Sequence, residues 1–202
     1  MKYYGQFKYP VDKYLHDKFF KDKELPGICM ESGAVDGVRI SSTKMFEESL
    51  GWKSINIEPH PESFKQLVKN RPDSININCA LSDKKGELML MYGKNHILRA
   101  HIVADGTVAV PNRHKFVVEK IVARTYTDII DELNLVSLDL FVLDVEGHEI
   151  EVMRGMLGSK VIPDVLCVET NRTSRKEMEN LTRDMGYEYH SEYRVNSFFV
   201  KK

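Results

Sequence analysis

A short acidic, glycine-bearing segment, residues 31–37, is the part of this sequence best suited to hold a ligand. It reads Glu-Ser-Gly-Ala-Val-Asp-Gly, follows an apolar stretch at residues 28–30 and precedes a run at 41–47 that could open a helix. Glycine lets the backbone approach a ligand closely, and a helix N-terminus offers free N–H groups. The segment has neither the G-x-G-x-x-G pattern nor a lysine, so a dinucleotide or a triphosphate fits it poorly. Acidic residues repel phosphate and suit a cofactor with hydroxyls and cationic groups.

Glu58 is a second acid, and its distance from this segment is informative. It ends a strand-like pattern that begins near residue 52, is followed by Pro59, and lies 21 residues after Gly37. A nucleotide-binding βαβ unit places the acid that holds the ribose hydroxyls at roughly 20 residues. Alone, Glu58 could be an ordinary strand-end acid in solvent, but together with the upstream segment it indicates a ribose-binding carboxylate. S-adenosylmethionine carries a ribose, an ammonium and a sulfonium, and it is the cofactor that these residues predict.

A third group of reactive side chains follows an apolar run at residues 138–143. Such a cofactor donates a methyl group, and a base near the acceptor would assist the transfer; Asp144, Glu146, His148 and Glu149 are the candidates at this point. On a helix that begins near residue 147, Glu146 and His148 lie close to the crevice, whereas Glu149 can turn away. The sequence does not decide which of these residues is the base. A first-turn histidine is often only a polar surface group, and Glu146 could instead accept N–H bonds at the helix start.

A divalent metal is an alternative way to activate the acceptor. Asp144, at one predicted strand end, and Glu169 and Asn171, at the next, offer the hard oxygen ligands that magnesium takes. Glu169 and Asn171 could equally bind the substrate by hydrogen bonds or cap the helix that follows. Three histidines of the variable region, His96, His101 and His114, could also reach an acceptor, although solvent exposure is the simpler expectation for each.

Strands and helices that alternate along the chain would position these residues. The patterns predict six strands of a mostly parallel sheet at residues 27–31, 54–58, 74–79, 138–144, 164–169 and 197–200, with a further terminal strand at 187–190 that pairs with the last. Helices are predicted at 14–20, 43–50, 61–70, 127–135, 147–157 and 174–185. Such an α/β sheet is covered on both faces and binds ligands beyond the carboxyl ends of its strands. Glu31, Glu58, Asp144 and Glu169 each end a strand, so we expect all four to ring one crevice.

The segment between residues 82 and 122 departs from this alternation. Strands are predicted at 86–92 and 115–123, with a long irregular stretch rich in polar residues at 93–113. A long irregular stretch in a compact domain is more often functional than idle, so we interpret 93–113 as a variable substrate loop.

Composition limits the class of protein. A chain of 202 residues with a formal net charge of −1 predicts one domain, 1–202, with a helical lead-in at 1–26 and no electrostatic reason for a nucleic-acid or membrane partner. The N-terminus lacks a secretory h-region, and no stretch approaches the ~18 apolar residues of a membrane span. Three cysteines in apolar segments match no zinc pattern and predict buried, reduced thiols, which favours a cytoplasmic location.

Several blocks, taken in order, resemble the FkbM family of S-adenosylmethionine-dependent methyltransferases. They span about residues 27 to 155, and any one would be weak evidence without the others. The matching blocks are residues 31–37, Ser42-Thr43 with Phe46-Glu47, Gly51-Trp52 running to Glu58-Pro59, Asn70-Arg71-Pro72, residues 79–82 and residues 143–149. Residues 93–113 carry no family signature, and acceptor choice is expected to lie there.

The resemblance implies a Rossmann-like class I methyltransferase: a seven-stranded, mostly parallel sheet with helices on both faces and an antiparallel last strand. It implies that the segment with Glu31, Gly33, Ala34, Asp36 and Gly37, followed by Ser42, holds the amino-acid end of the cofactor. It places Glu58 and Pro59 at the ribose, Ala80, Leu81 and Ser82 by the adenine, and Asp144 near the reacting methyl. The implied acceptor is a hydroxyl of a carbohydrate or of a glycosylated small molecule. A polyketide or peptide acceptor, or a module that binds the cofactor without turnover, is the alternative.

Overall fold

A seven-stranded sheet organises the computed structural model of the chain, which describes residues 1–94, 96–103 and 115–202. Its strands are β1 (Ile28–Ser32), β2 (Lys53–Ile57), β3 (Ile75–Ile77), β8 (Leu140–Leu143), β9 (Val165–Glu169), β10 (Tyr187–Tyr193) and β11 (Asn196–Lys201). The order across the sheet is β3-β2-β1-β8-β9-β11-β10, and the last strand, β11, runs antiparallel to both of its neighbours. The predicted α/β class, the mostly parallel sheet and the antiparallel last strand are confirmed.

Helices cover both faces of this sheet. They are α1 (Val11–Leu15), which continues into a π-helical turn at His16–Phe20, α2 (Lys44–Leu50), α3 (Pro61–Asn70), α4 (Tyr126–Glu132), α5 (Glu149–Arg154) and α6 (Arg175–Asp184). Side chains of the central strands alternate between two cores: Leu140 and Val142 pack on one face and Phe141 and Leu143 on the other. Because both faces are covered, β8 is buried along its whole length, as parallel strands of α/β proteins usually are.

A second, four-stranded sheet adjoins the first. It contains β4 (Ala80–Leu81), β5 (Gly86–Gly93), β6 (His96–Val103) and β7 (Phe116–Arg124), in the order β4-β7-β5-β6. The strands predicted at 86–92 and 115–123 are confirmed. The strand predicted at 74–79 is shorter, Ile75–Ile77, because the chain then leaves the edge of the large sheet and Ala80 pairs with Ala123 of the second sheet.

The prediction that residues 93–113 are irregular is wrong for β6. This strand pairs antiparallel with β5, in a register that places Met89 opposite Val103. Its sequence, His-Ile-Leu-Arg-Ala-His-Ile-Val, is largely apolar, and pairing with a neighbour stabilises it as a strand, since β propensity depends strongly on such context. Residue 95 and residues 104–114, which include His114, lie outside the described residues, as does the side chain of His96.

Two properties of the described chain bear on its class. All three cysteines are buried and free of disulfides, as predicted. No helix among the described residues is long and apolar enough to cross a membrane.

Candidate functional site

A cavity of about 270 Å³ lies beyond the carboxyl ends of β1, β2, β8 and β9. Ser32 and Gly33, which end β1, and Glu58, which follows β2, line one side of it, while Asp144 and Glu169 line the other. The second sheet contributes the remaining wall through Leu90, Ala100, His101 and Ile102. Three of the four strand-end acids therefore meet at one crevice, as the sequence predicted, and the fourth does not.

Glu31 is the exception, and its position corrects the expectation that it lines the crevice. Its carboxylate is 4% exposed and accepts hydrogen bonds from Ser41 Oγ (2.6 Å), the Ser42 amide (2.6 Å) and Thr43 Oγ1 (2.8 Å). Side chains alternate along a strand, so Glu31 shares the face of β1 that carries Cys29, against which α2 packs. Glu31 therefore fixes the loop before α2 and makes no wall of the cavity.

Arg71 completes this buried network. Its side chain is 1% exposed, its Nε donates to Glu47 at 2.6 Å, its Nη2 donates to Ser54 Oγ at 2.8 Å, and its Nη1 lies 4.0 Å from the Glu31 carboxylate. A buried charge needs partners of this kind. The network joins β1, α2 and the end of α3 behind residues 31–37.

Within the segment itself, Gly33 is the glycine that the geometry demands. It has φ +89°, lines the cavity, and a Cβ added there would lie 1.9 Å from the carbonyl oxygen of Asp144. The other predicted binding residues shape the segment and do not line the cavity. The Asp36 carboxylate accepts from the Val38 amide at 2.9 Å. Ala34, Gly37 and Ser42 act through their backbone amides, which donate to Ile57 O, Ala34 O and the Glu31 carboxylate.

Glu58 presents a buried carboxylate to the cavity. It is 5% exposed, and its two oxygens accept hydrogen bonds of 2.8 Å from the amides of Val35 and His60. Burial raises the pKa of Glu58 to about 7, against those two bonds, which lower it. Pro59 follows on the same wall, and the side chain of His60 caps α3 by accepting from the Ser63 amide.

Ala80 and Leu81 of β4 form an apolar part of the lining, and their place beside adenine stays a prediction. Ser82 does not line this cavity. Its hydroxyl lies 3.0 Å from His148 Nε2 and 3.1 Å from Asp83 Oδ1. Ser82 thus supports a residue of the opposite wall.

The exit of β8 is shaped by a tight loop, so α5 begins at Glu149, two residues later than predicted. Glu146 has φ +56° and Gly147 has φ +107°, and the Glu149 carboxylate accepts from the amides of Val145 (3.2 Å) and Gly147 (3.0 Å). Glu149, predicted to turn away, is 1% exposed and does not line the cavity. A left-handed backbone at a non-glycine residue is uncommon and points to a positioned side chain.

Three carboxylates converge at this exit: Asp144, Glu146 and Glu169 each offer an oxygen within 4.8 Å of the others. Burial, and then the charge of Glu169, raise the pKa of Asp144 well above its usual range. Glu146 forms an ion pair of 2.8 Å with Arg172. The third predicted metal ligand, Asn171, donates from Nδ2 to Glu169 Oε1 at 3.0 Å and lies on the surface, so Glu146 occupies the place that the sequence assigned to Asn171.

His148 lines the cavity at the N-terminus of α5. Burial lowers the pKa of His148, so the neutral form, which can accept a proton, is favoured. The Ser82 hydroxyl has one proton to give. If it donates to Asp83, His148 donates from Nε2 and keeps Nδ1 as the acceptor.

Comparisons with known proteins show the family of the chain and relatives of its fold. The Methyltransferase FkbM domain model matches residues 31–189. A methyltransferase FkbM structure from Methylobacillus flagellatus KT superposes with a TM-score of 0.54 at 14% identity, over 94% of this chain and 50% of that one. A TehB-like SAM-dependent methyltransferase from Corynebacterium glutamicum (0.50, 9%, 95% and 88%) and a precorrin-6y C5,15-methyltransferase from Geobacter metallireducens GS-15 (0.50, 11%, 100% and 95%) share the fold. None of the curated proteins matches the chain significantly.

The family match and the fold define the class: a methyltransferase of the Rossmann-like type. Within that class, the chain belongs to the methyltransferase FkbM domain family. It spans half the length of the Methylobacillus flagellatus structure.

Proposed function

We propose that this protein transfers the methyl group of S-adenosylmethionine to a sugar hydroxyl of a glycan or glycoconjugate. The observation that carries the donor part is that Glu58 and Asp144 follow the two strands that flank β1 and face one cavity across Gly33. A buried acid beyond β2 is placed to accept from ribose hydroxyls. Ala80 and Leu81 offer an apolar surface to the adenine.

The residues present fit this cofactor in charge as well as shape. Asp144 lines the cavity next to Gly33, and a carboxylate there attracts the cationic sulfonium and ammonium groups. S-adenosylmethionine supplies an already activated methyl carbon, so the protein has to align the acceptor and relieve it of a proton.

We assign that proton transfer to His148, with Asp144 and Glu146 as the neighbouring acids that orient the acceptor. His148 lines the cavity in its neutral form, and a positioned base contributes ~10²–10⁴-fold to the rate.

A sugar is the acceptor we favour because the walls near Asp144 are rich in hydrogen-bond acceptors that could pair with several hydroxyls. The same carboxylates, with a formal net charge of −1, disfavour a polyanion such as nucleic acid, and we expect neither a nucleic-acid nor a membrane partner. Methylation of a polyketide or peptide hydroxyl or amine is the second candidate. We also propose a cytoplasmic location, because the three cysteines are free thiols.

Calorimetric titration with S-adenosylhomocysteine tests the donor site. Glu58→Ala should weaken binding by ~1–3 kcal/mol because the ribose loses a charged acceptor. Glu62→Ala is the matched control, since Glu62 is an exposed acid near the start of α3 that pairs with Lys65, three residues further along, and does not line the cavity. No measurable binding by the unmodified protein would refute the donor assignment.

Labelled S-adenosylmethionine, offered with a panel of sugars and matched aglycones, tests the acceptor. Transfer to the sugars supports the proposal. Transfer confined to aglycones or amines would replace it with the second candidate, and binding without any transfer would favour a non-catalytic module.

A further inference from the structure

The three carboxylates at the ends of β8 and β9 are placed closely enough to share one ion. Asp144, Glu146 and Glu169 each contribute an oxygen, and these oxygens lie within 4.8 Å of one another. Oxygen ligands of calcium lie at about 2.3–2.6 Å from the ion, so two of them on opposite sides are separated by roughly 4.6–5.2 Å. Magnesium, with bonds near 2.0–2.1 Å, requires a contraction to about 4.2 Å or less.

An independent observation comes from Glu169. Its side chain is more than nine-tenths buried, being 8% exposed, and it lines the cavity. Oε1 accepts from Asn171 Nδ2, whereas Oε2 is buried with no N–H or hydroxyl donor among the described residues. The Asp144 carboxyl lies within hydrogen-bond reach of Glu169, but two carboxylates bond each other only when one of them holds a proton. A buried carboxylate oxygen without a donor is costly to the fold, and a bound cation is one way to compensate it.

The local charge points the same way. Within the described ranges, Arg172 is the cation in contact with the cluster, and it pairs with Glu146 alone at 2.8 Å. The backbone of Glu146 is strained, with φ +56°. The loop whose amides donate to Glu149 keeps the Glu146 carboxylate beside Asp144. Three carboxylates and one arginine leave an excess of negative charge.

We propose that Asp144, Glu146 and Glu169 bind a divalent cation that prefers oxygen ligands, such as calcium, manganese or magnesium. The cation lies at the end of the cavity where the acceptor is expected. There it would hold the acceptor oxygen and lower the pKa of the hydroxyl, so that His148 accepts the proton more readily. The role of the ion rests on the proposed function, but its binding does not.

Electron paramagnetic resonance of Mn²⁺, titrated into the whole protein with and without S-adenosylhomocysteine, measures this binding directly. The expected result is one bound Mn²⁺ that Ca²⁺ or Mg²⁺ displaces. Glu169→Gln should weaken it at least tenfold, because it removes one of three charged ligands. Glu177→Gln is the matched control, since Glu177 pairs with Arg154 on the surface, and it should bind Mn²⁺ as the unmodified protein does.

Three results would overturn the inference. One is the absence of bound Mn²⁺ at millimolar concentration, and another is equal binding by Glu169→Gln. The third is a Glu169→Gln variant that loses affinity for S-adenosylmethionine while no form of the protein binds metal, which would assign the acids to the donor's cationic groups alone. If Glu169→Gln fails to fold, Glu146→Gln, on the more exposed acid, replaces it and should show the same loss.

The two proposals fail separately. Binding of S-adenosylhomocysteine without Mn²⁺ would remove the metal site and leave the donor site standing. Binding of Mn²⁺ without S-adenosylhomocysteine would do the reverse.

Discussion

The ionisation of Glu58 should make cofactor binding depend on pH in a way that identifies this residue. Its pKa is raised from 4.5 to about 7 by burial, so roughly nine-tenths of the free protein carries the charge at pH 8 and roughly one-tenth at pH 6. Ribose hydroxyls donate to the carboxylate and favour its ionised form. Binding at pH 6 must therefore first remove a proton from Glu58, and the dissociation constant should rise about tenfold from pH 8 to pH 6, or ~1.4 kcal/mol.

The stability of the free protein should change with the opposite sign. A pKa that is higher in the folded state than in the unfolded state means that folding binds protons. The contribution of Glu58 to the free energy of unfolding is thus fully present below about pH 4.5 and is lost as the pH rises through about 7. One residue then strengthens cofactor binding and weakens the free fold over the same interval.

Calorimetry with S-adenosylhomocysteine at pH 6, 7 and 8, in two buffers of different ionisation enthalpy, checks the first effect and counts the protons released. Urea denaturation over the same pH values checks the second. Glu58→Gln keeps the shape of the side chain and removes the titration, so both dependences attributed to Glu58 should disappear in it. A dissociation constant that does not change between pH 6 and pH 8, or the same slope in Glu58→Gln, would refute the reasoning.

Three further perturbations test other parts of the site. Gly33→Ala should lower the free energy of unfolding by more than ~3 kcal/mol in urea denaturation, because its Cβ would meet a backbone oxygen at 1.9 Å. Gly158→Ala, at φ +78° with open space around it, should lower it by only ~1–2 kcal/mol. Equal losses in the two variants would contradict the packing argument. Arg71→Met should cost ~3–5 kcal/mol because it leaves buried carboxylates unpaired, whereas Arg154→Met, at an exposed ion pair, should cost less than ~1 kcal/mol by the same method. His148→Ala should lower kcat ~10²–10⁴-fold with little change in cofactor affinity, and a kcat within threefold of the unmodified protein would exclude it as the base.

The sequence predicted the large sheet well because its signal is local. Apolar runs such as the one ending at Leu143 are bounded by acids and turn residues, and that pattern is typical of buried parallel strands. The spacing from Gly37 to Glu58 likewise predicted a cavity-facing acid, since the βαβ unit fixes that distance.

What the sequence could not supply depends on direction and on distant partners. Glu31 ends a strand beside the cavity, but side-chain alternation sends it to the opposite face, and its partner Arg71 is 40 positions away. The wall built by Leu90 and Ile102 required the pairing of two strands, one of which lies in the stretch that we predicted to be irregular. The contacts of Arg71 with Glu31 and Glu47 could have been suspected from one signal only. Arg71 lies in the block Asn70-Arg71-Pro72, which resembles the family.

The buried network around Arg71 has a consequence for the kinetics of cofactor capture. Hydrogen bonds within the protein already hold the loop from Ser41 to Thr43, and they do not need the ligand to form. The proposed donor pocket is therefore preorganised, so little conformational entropy should be lost when the cofactor binds. Amide hydrogens of this loop should exchange slowly even in the free protein, and cofactor association should follow a single step whose rate rises linearly with concentration.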